Sequence, residues 1–269
     1  MSAPPNRPPG VAIVTISFNQ ARYLEEAIQS VLAQRRIGLD QYIVVDPGST
    51  DGSRDIIARY RNQFDAVVFD PDRGPADGLN RGFARANCEV LGYLNADDRL
   101  APDALDTARN FFDCHPEIDV LSGAIRIIDS AGRASPRKRT ADRFDVRRYV
   151  AGVCTVGQQG TFFRRSAFAR CGGFNSNNRV SWDGELLVDM ALAGAHFATI
   201  FKVLGDWRIY PETITGSSNH RDRLANETAR IAATLRERGF PLHREALVRL
   251  IRTFYKFHPV RHAGYWLVR

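Results

Sequence analysis

A chain of 269 residues, 44% hydrophobic and 25% charged, has an ordinary globular balance and is long enough for one large α/β domain with an appendage. No apolar run approaches the roughly 18–20 residues of a membrane span. The four cysteines (Cys88, Cys114, Cys154, Cys171) form no Cys-x-x-Cys pair, which argues against structural zinc or a disulfide framework and for a reducing cytoplasm. The net charge of +7 is uneven: residues 219–269 carry 11 Lys and Arg against 4 Asp and Glu, while the first 218 carry 26 of each.

The Pro-rich opening, residues 1–10, lacks an apolar centre and is expected to be a disordered lead-in, not a signal peptide. VAIVTIS (11–17) predicts a buried strand, and Leu24, Ala27, Ile28 and Val31 recur at helical spacing behind it. QYIVVD (41–46), AVVFD (66–70) and VLGYL (90–94) repeat the pattern, each followed by a helical stretch. Four strand–helix alternations predict a mostly parallel sheet wound by right-handed crossovers. Beyond it, a long strand over 118–129 ends in a turn at 130–132, a short strand covers 160–165, and Gly172-Gly173-Phe174 makes a tight turn. Helices are expected over 184–193, 225–239 and 242–257. The expected organisation is an α/β domain over 11–218 and a basic helical tail over 219–269.

Ligands bind such sheets beyond the carboxyl ends of the strands. Here those ends carry Asp46 and Asp51, then Asp70 and Asp72, then Asn95-Ala96-Asp97-Asp98. Carboxylates gathered on one edge repel unless a cation or ligand compensates, although any one of them also suits a helix cap or turn. Neither GxxxxGK[ST] nor GxGxxG is present to cradle phosphates. A hard cation, Mn²⁺ or Mg²⁺, held by Asp97 and Asp98 is the natural way to hold a diphosphate.

The motifs VAIVTISFNQ, VVDPGSTDGS, LNADD and GGFNSNNRVSWDGELLVDM, in this order, resemble those of family 2 glycosyltransferases, which have a GT-A fold (Rossmann-like α/β). The similarity runs from about Val11 to Tyr210. It implies an inverting, metal-dependent hexosyl- or N-acetylhexosaminyl-transferase that adds one sugar from a nucleotide-diphosphate donor, usually a UDP-sugar, to a glycan or lipid-linked acceptor. Bacterial surface-glycan assembly is the usual setting. The resemblance places Ser17, Phe18 and Asn19 in the first donor loop, Phe18 against the base, Asp46 hydrogen-bonding the base, and Asp51 supporting the ribose or its loop. It places Arg73 and Asp77 at the diphosphate and donor sugar, and Asp97 and Asp98 at the metal. Asp183 is the implied base, with Glu185 as its alternate.

Three departures stand out. Asn95 replaces an Asp and brings no charge to the cation; Trp182 stands where Glu is common and would stack on an acceptor sugar; and the QxxRW motif of processive synthases is absent. Gln158 and Gln159 are expected to face the acceptor. The polar segment 212–221 reads as a lid bringing His220 or Arg221 to the phosphates, or as a plain surface loop. The amphipathic basic tail fits either an anionic leaflet on the inner face of the membrane or packing on protein, including a second copy. No nucleic-acid module is visible. The competing class is a nucleotide-sugar-binding module without turnover that acts through the tail.

Overall fold

The computed structural model describes residues 9–211, 220–242 and 247. The first half alternates as expected: β1 (Val11–Ile16), α1 (Ala21–Leu32), β2 (Gln41–Val45), α2 (Ser53–Arg59), β3 (Ala66–Val68), α3 (Pro75–Phe83) and β4 (Val90–Asn95). These four strands pair in parallel, in the order β3-β2-β1-β4. Period-two alternation sends the side chains of β1 to two different cores. Val11 and Ile13 pack with Leu24 and Ile28 of α1, whereas Ala12 and Val14 pack with Leu79 and Phe83 of α3. Full burial of each such Leu, Ile or Phe contributes about 1.5–3 kcal/mol, so helices on both faces are held by the sheet between them.

The second half is less regular. It comprises β5 (Arg99–Leu100), α4 (Ala104–Cys114), β6 (Val120–Ile128), β7 (Ala134–Arg139), α5 (Val146–Val150), β8 (Thr161–Arg164), α6 (Arg165–Cys171), α7 (Trp182–Leu192), β9 (Phe197–Arg208) and α8 (His220–Glu237). β8 runs antiparallel between β4 and β6, β9 runs parallel to β6, and β7 pairs with the other end of β6. One nine-stranded sheet results. The Gly172-Gly173 turn ends α6, with both residues at positive φ (84° and 81°), a conformation that costs glycine nothing.

The first tail helix is part of this body. Ile231, Ala232 and Leu235 of α8 are buried, and Ile231 and Leu235 belong to the core that contains Leu186 and Met190 of α7. The lid segment 212–219, the side chains of His220 and Arg221, and the second tail helix beyond Leu242, except Leu247, lie outside the described residues. The expected membrane and oligomer contacts fall there too. Among the described residues no helix is long and apolar enough to cross a membrane.

Candidate active site

A cleft of about 840 Å³ opens at the carboxyl ends of β1 and β4. One wall comes from the loops after β1, β2 and β3, the opposite wall from β6, β7, β9 and residues 155–159, and the end from the start of α7.

The first wall is stitched together by the polar residues of two turns. Asn19, at φ 51°, receives a hydrogen bond from Thr50 N at its Oδ1 (2.9 Å), while its own N–H donates to Ser49 Oγ (2.8 Å). Gln20 N donates to Ser53 Oγ, and Ala21 N to Asp51 Oδ2 (2.8 Å). Asp51 Oδ1 also accepts from the N–H and hydroxyl of Ser53. Asp51 therefore satisfies orphan donors at the start of both α1 and α2; burial raises its pKa, but these bonds outweigh that and hold it low. Asp46 is fully buried, its Oδ1 accepting from Gly48 N, Ser49 N and Arg54 Nε, with Oδ2 left without a partner. Arg54 in turn lies over the ring of Phe69, 4.8 Å from its centroid. Phe18 is 60% exposed on the cleft wall, where an unsupported aromatic face is costly unless something stacks on it. Arg73 lines the cleft with its side chain exposed. Asp77, like Asn19, Asp46 and Asp51, stands behind the wall: it accepts from Arg73 N (3.0 Å) and pairs with Arg81, fixing the turn into α3.

The floor is the Asn95–Asp98 loop. Asp98 is 2% exposed and its oxygens are already used: Oδ1 accepts from Arg208 N, and Oδ2 from Gln158 Nε2 (3.1 Å), Gln159 Nε2 (2.8 Å) and Asn95 Nδ2 (3.4 Å). Burial and the neighbouring Asp97 charge still push its carboxyl well above the usual range. Asp97 accepts at Oδ2 from the Tyr210 hydroxyl (3.0 Å), which also bonds Gln20 Oε1 (3.1 Å). Burial raises its pKa too, against that hydrogen bond and the Arg208 charge. Two adjacent carboxylates, both short of positive charge, make a site that a cation would relieve. Arg208, 1% exposed, organises the floor by donating to the carbonyls of Asp97, Asp129 and Ser130 and pairing with Glu26 of α1.

At the end of the cleft, Ser181 is the N-cap of α7 and Asp183 lies inside its first turn. Its charge faces the buried hydroxyls of Tyr93 and Tyr149 and helps to raise their pKa values, mostly set by burial. A Cβ on Gly184 would come within 1.7 Å of the Tyr149 hydroxyl; only glycine lets that ring pass under α7. Glu185 does not line the cleft. It accepts from Asn175 (3.1 Å), Asn178 (2.7 Å) and Arg230 of α8 (2.7 Å), and these bonds overcome burial to hold its pKa below the usual range. Trp182, 7% exposed, lines the cleft with its indole Nε1 unpartnered.

Sequence reasoning missed Arg139, Arg179, Trp207, Arg208 and Tyr210. The one signal available was the run Gly205-Asp206-Trp207-Arg208, where a charged pair two residues apart occupies one face of a strand. Among the described residues seven buried side-chain polar atoms lack a partner, and four belong to cleft residues: Ser17 Oγ, Asn95 Oδ1, Gln158 Oε1 and Trp182 Nε1. Such orphans are few in folded proteins and require an explanation; a polar ligand supplies one. No group of three or more His, Cys, Asp or Glu side chains able to hold a metal alone occurs among the described residues.

Known proteins share the sequence pattern and the fold. An uncharacterised glycosyltransferase of Mycobacterium tuberculosis is 30% identical over 243 residues, covering 88% of this chain and 85% of the relative. Poly-beta-1,6-N-acetyl-D-glucosamine synthase of Staphylococcus aureus is 22% identical over 87% of this chain and 59% of its own length. Two solved structures share the fold. Residues 1–349 of S. aureus TarS in complex with UDP-GlcNAc superpose with a TM-score of 0.63 at 18% identity, covering 81% of this chain and 66% of that one. The mannosyltransferase PcManGT of Pyrobaculum calidifontis, in complex with GDP-Man and Mn²⁺, gives 0.59 at 18%, covering 97% and 85%. The sequence profile described as "Glycosyl transferase family 2" matches residues 12–172, and the chain belongs to that family.

Proposed function

We propose that the chain is an inverting glycosyltransferase that moves one sugar from a nucleoside diphosphate donor onto an acceptor hydroxyl in the assembly of a bacterial surface glycan. The observation that carries this reading is the concentration of unpartnered polar atoms around one cleft whose floor holds two charge-starved carboxylates. The base rests on Phe18, and Asp46, buried behind the wall with Oδ2 unpartnered, is assigned to a ring N–H of the base, a pairing that suits uracil and underlies the choice of a UDP-sugar. Ser17 and Arg73 face the diphosphate, the latter as a charged donor for the leaving group.

A divalent cation, Mn²⁺ or Mg²⁺, fits the floor because Asn95 Oδ1 is orphaned and Asp97 lines the cleft, while Asp98 is committed to holding the loop. Asn95 and Asp97 would hold it together with donor oxygens. When bound, it neutralises the charge that develops on the diphosphate. Asp183 accepts the proton of the attacking hydroxyl as the acceptor oxygen bonds to the anomeric carbon and the carbon–oxygen bond to the diphosphate breaks, its electron pair leaving with the diphosphate. Trp182, Gln158 and the opposite wall position the acceptor.

A thermal-shift screen over UDP- and GDP-sugars, with Mn²⁺ or with EDTA, tests this. A bound donor raises apparent stability by mass action. The expected result is a cation-dependent shift with one nucleotide class that weakens in Phe18→Ala by about 1–3 kcal/mol of binding and in Asp46→Ala. The absence of any shift with every donor overturns the reading.

A further inference from the structure

The wall opposite the nucleotide carries a cation that the donor does not need. Arg139, exposed at the end of β7, lines the cleft with its guanidinium carbon 4.9 Å from the centre of the Trp207 ring of β9. Sheet register puts them there. Arg139 pairs with Ile125 of β6, and Trp207 with Ile127 two residues along the same strand, so the two side chains share one face. The acidic groups of this wall are already taken: buried Asp206 pairs with Arg126 and Arg99, and Asp129 with Arg133. Among the described residues Arg139 makes no ion pair, and its contact is the indole. Uncharged Ile125, Val156 and Gly157 line the cleft on the same side.

We propose that Arg139, held on Trp207, is an oxyanion-reading site for the acceptor, which carries a carboxylate or phosphate close to the hydroxyl that is glycosylated. This rests on the glycosyltransferase reading for what the cleft does, but the charge preference can be measured without it. The chemistry follows from the geometry. A guanidinium laid on an aromatic plane keeps its edge of N–H donors available, and that fork matches the two oxygens of a carboxylate or phosphate. Cation–π contact holds the group without neutralising it. A hydrogen bond from this guanidinium to an anionic oxygen is charge-assisted at both ends and stronger than one to a neutral hydroxyl. A neutral sugar would gain little here, because the guanidinium already covers the indole against which it would stack.

The test uses the full chain, with and without saturating UDP and Mn²⁺. Binding of methyl glucuronide and of glucose 1-phosphate is compared with binding of methyl glucoside by ligand-observed NMR. With the donor site filled, at least one anionic probe should bind roughly tenfold more tightly than the neutral one, the scale of a charged hydrogen bond. The tighter of the two identifies carboxylate or phosphate as the source. Arg139→Gln should abolish the preference and Arg139→Lys should restore part of it, both with unchanged melting temperature and UDP affinity. Equal binding of charged and neutral probes, no binding of any, or a preference that survives Arg139→Gln overturns the proposal. A preference that persists in a chain that fails to bind UDP would sink the donor assignment and leave this site standing.

Discussion

The two walls of the cleft are built by different means. The wall built from the loops after β1 and β2 is local: Asn19, Ser49, Asp51 and Ser53 exchange hydrogen bonds between two turns about 30 residues apart, both at the ends of adjacent parallel strands. The floor and the opposite wall are assembled from afar. Asp98 is held by Gln158, Gln159 and Arg208, which lie 60, 61 and 110 residues away in sequence. A wall of the first kind leaves a motif in the sequence, because its partners are short polar residues at fixed offsets from a strand end. A wall of the second kind leaves none, because the neighbours are created by sheet topology.

The sharpest way to break this comparison is at the residue where the walls meet. Asp183→Asn should lower the transfer rate by roughly 10²–10⁴-fold, the usual worth of a general base, with UDP binding unchanged in calorimetry. If Asp183→Asn turns over normally and Glu185→Gln is inactive, Asp183 is not the base.

A smaller effect separates the paired carboxylates. Asp98→Ala removes the acceptor from four donors, two of them in fully buried bonds, and each buried donor left unsatisfied costs about 1–3 kcal/mol. Its melting temperature should therefore fall by several degrees. Asp97→Ala leaves Tyr210 bonded to Gln20, so it should melt close to the wild type and lose the cation-dependent part of donor binding. A destabilised Asp97→Ala beside an unaffected Asp98→Ala would reverse the assignment of scaffold and ligand.

The smallest effect is a pH dependence. Glu185, held below its ordinary value of 4.5 in the folded chain, stabilises the protein above its unfolded-state pKa. That contribution is lost as pH falls through the lowered folded-state value. Arg230 is 42% exposed, so solvent screening keeps the effect modest. The melting-temperature gap between wild type and Glu185→Gln should therefore be present at neutral pH and close in acid; a gap that widens as pH falls would contradict the pairing.

The same contrast explains what was legible in the sequence. β1, β2 and β4 announced themselves because strands buried on both faces are continuous apolar runs, and the edge strand β3 by the short apolar run Ala66-Val67-Val68. β7, with sequence Ala134-Ser135-Pro136-Arg137-Lys138-Arg139, has no such run and pairs along one edge only, with β6; β5 has two residues. Of the residues expected at the site, Phe18 and Asp97 line the cleft from loops at strand ends and Asp183 from the first turn of α7, positions carried by short local motifs. Asp98 was expected beside Asp97 at the cation, since adjacency in sequence cannot show that neighbouring glutamines consume its oxygens. Arg139 and Trp207 meet only after β6 has aligned β7 on one side and β9 on the other.

Arg208 has a consequence for the order of events on the ribosome. Its one guanidinium bonds α1, the loop after β4 and the turn between β6 and β7, and its backbone N–H holds Asp98. A nascent chain that has emerged only as far as α7 already possesses Phe18, Asp46, Asp97 and Asp183, yet the floor beneath them is not fastened. The floor of the cleft is therefore fastened late in synthesis, when β9 enters the sheet, and not when Asp183 has emerged.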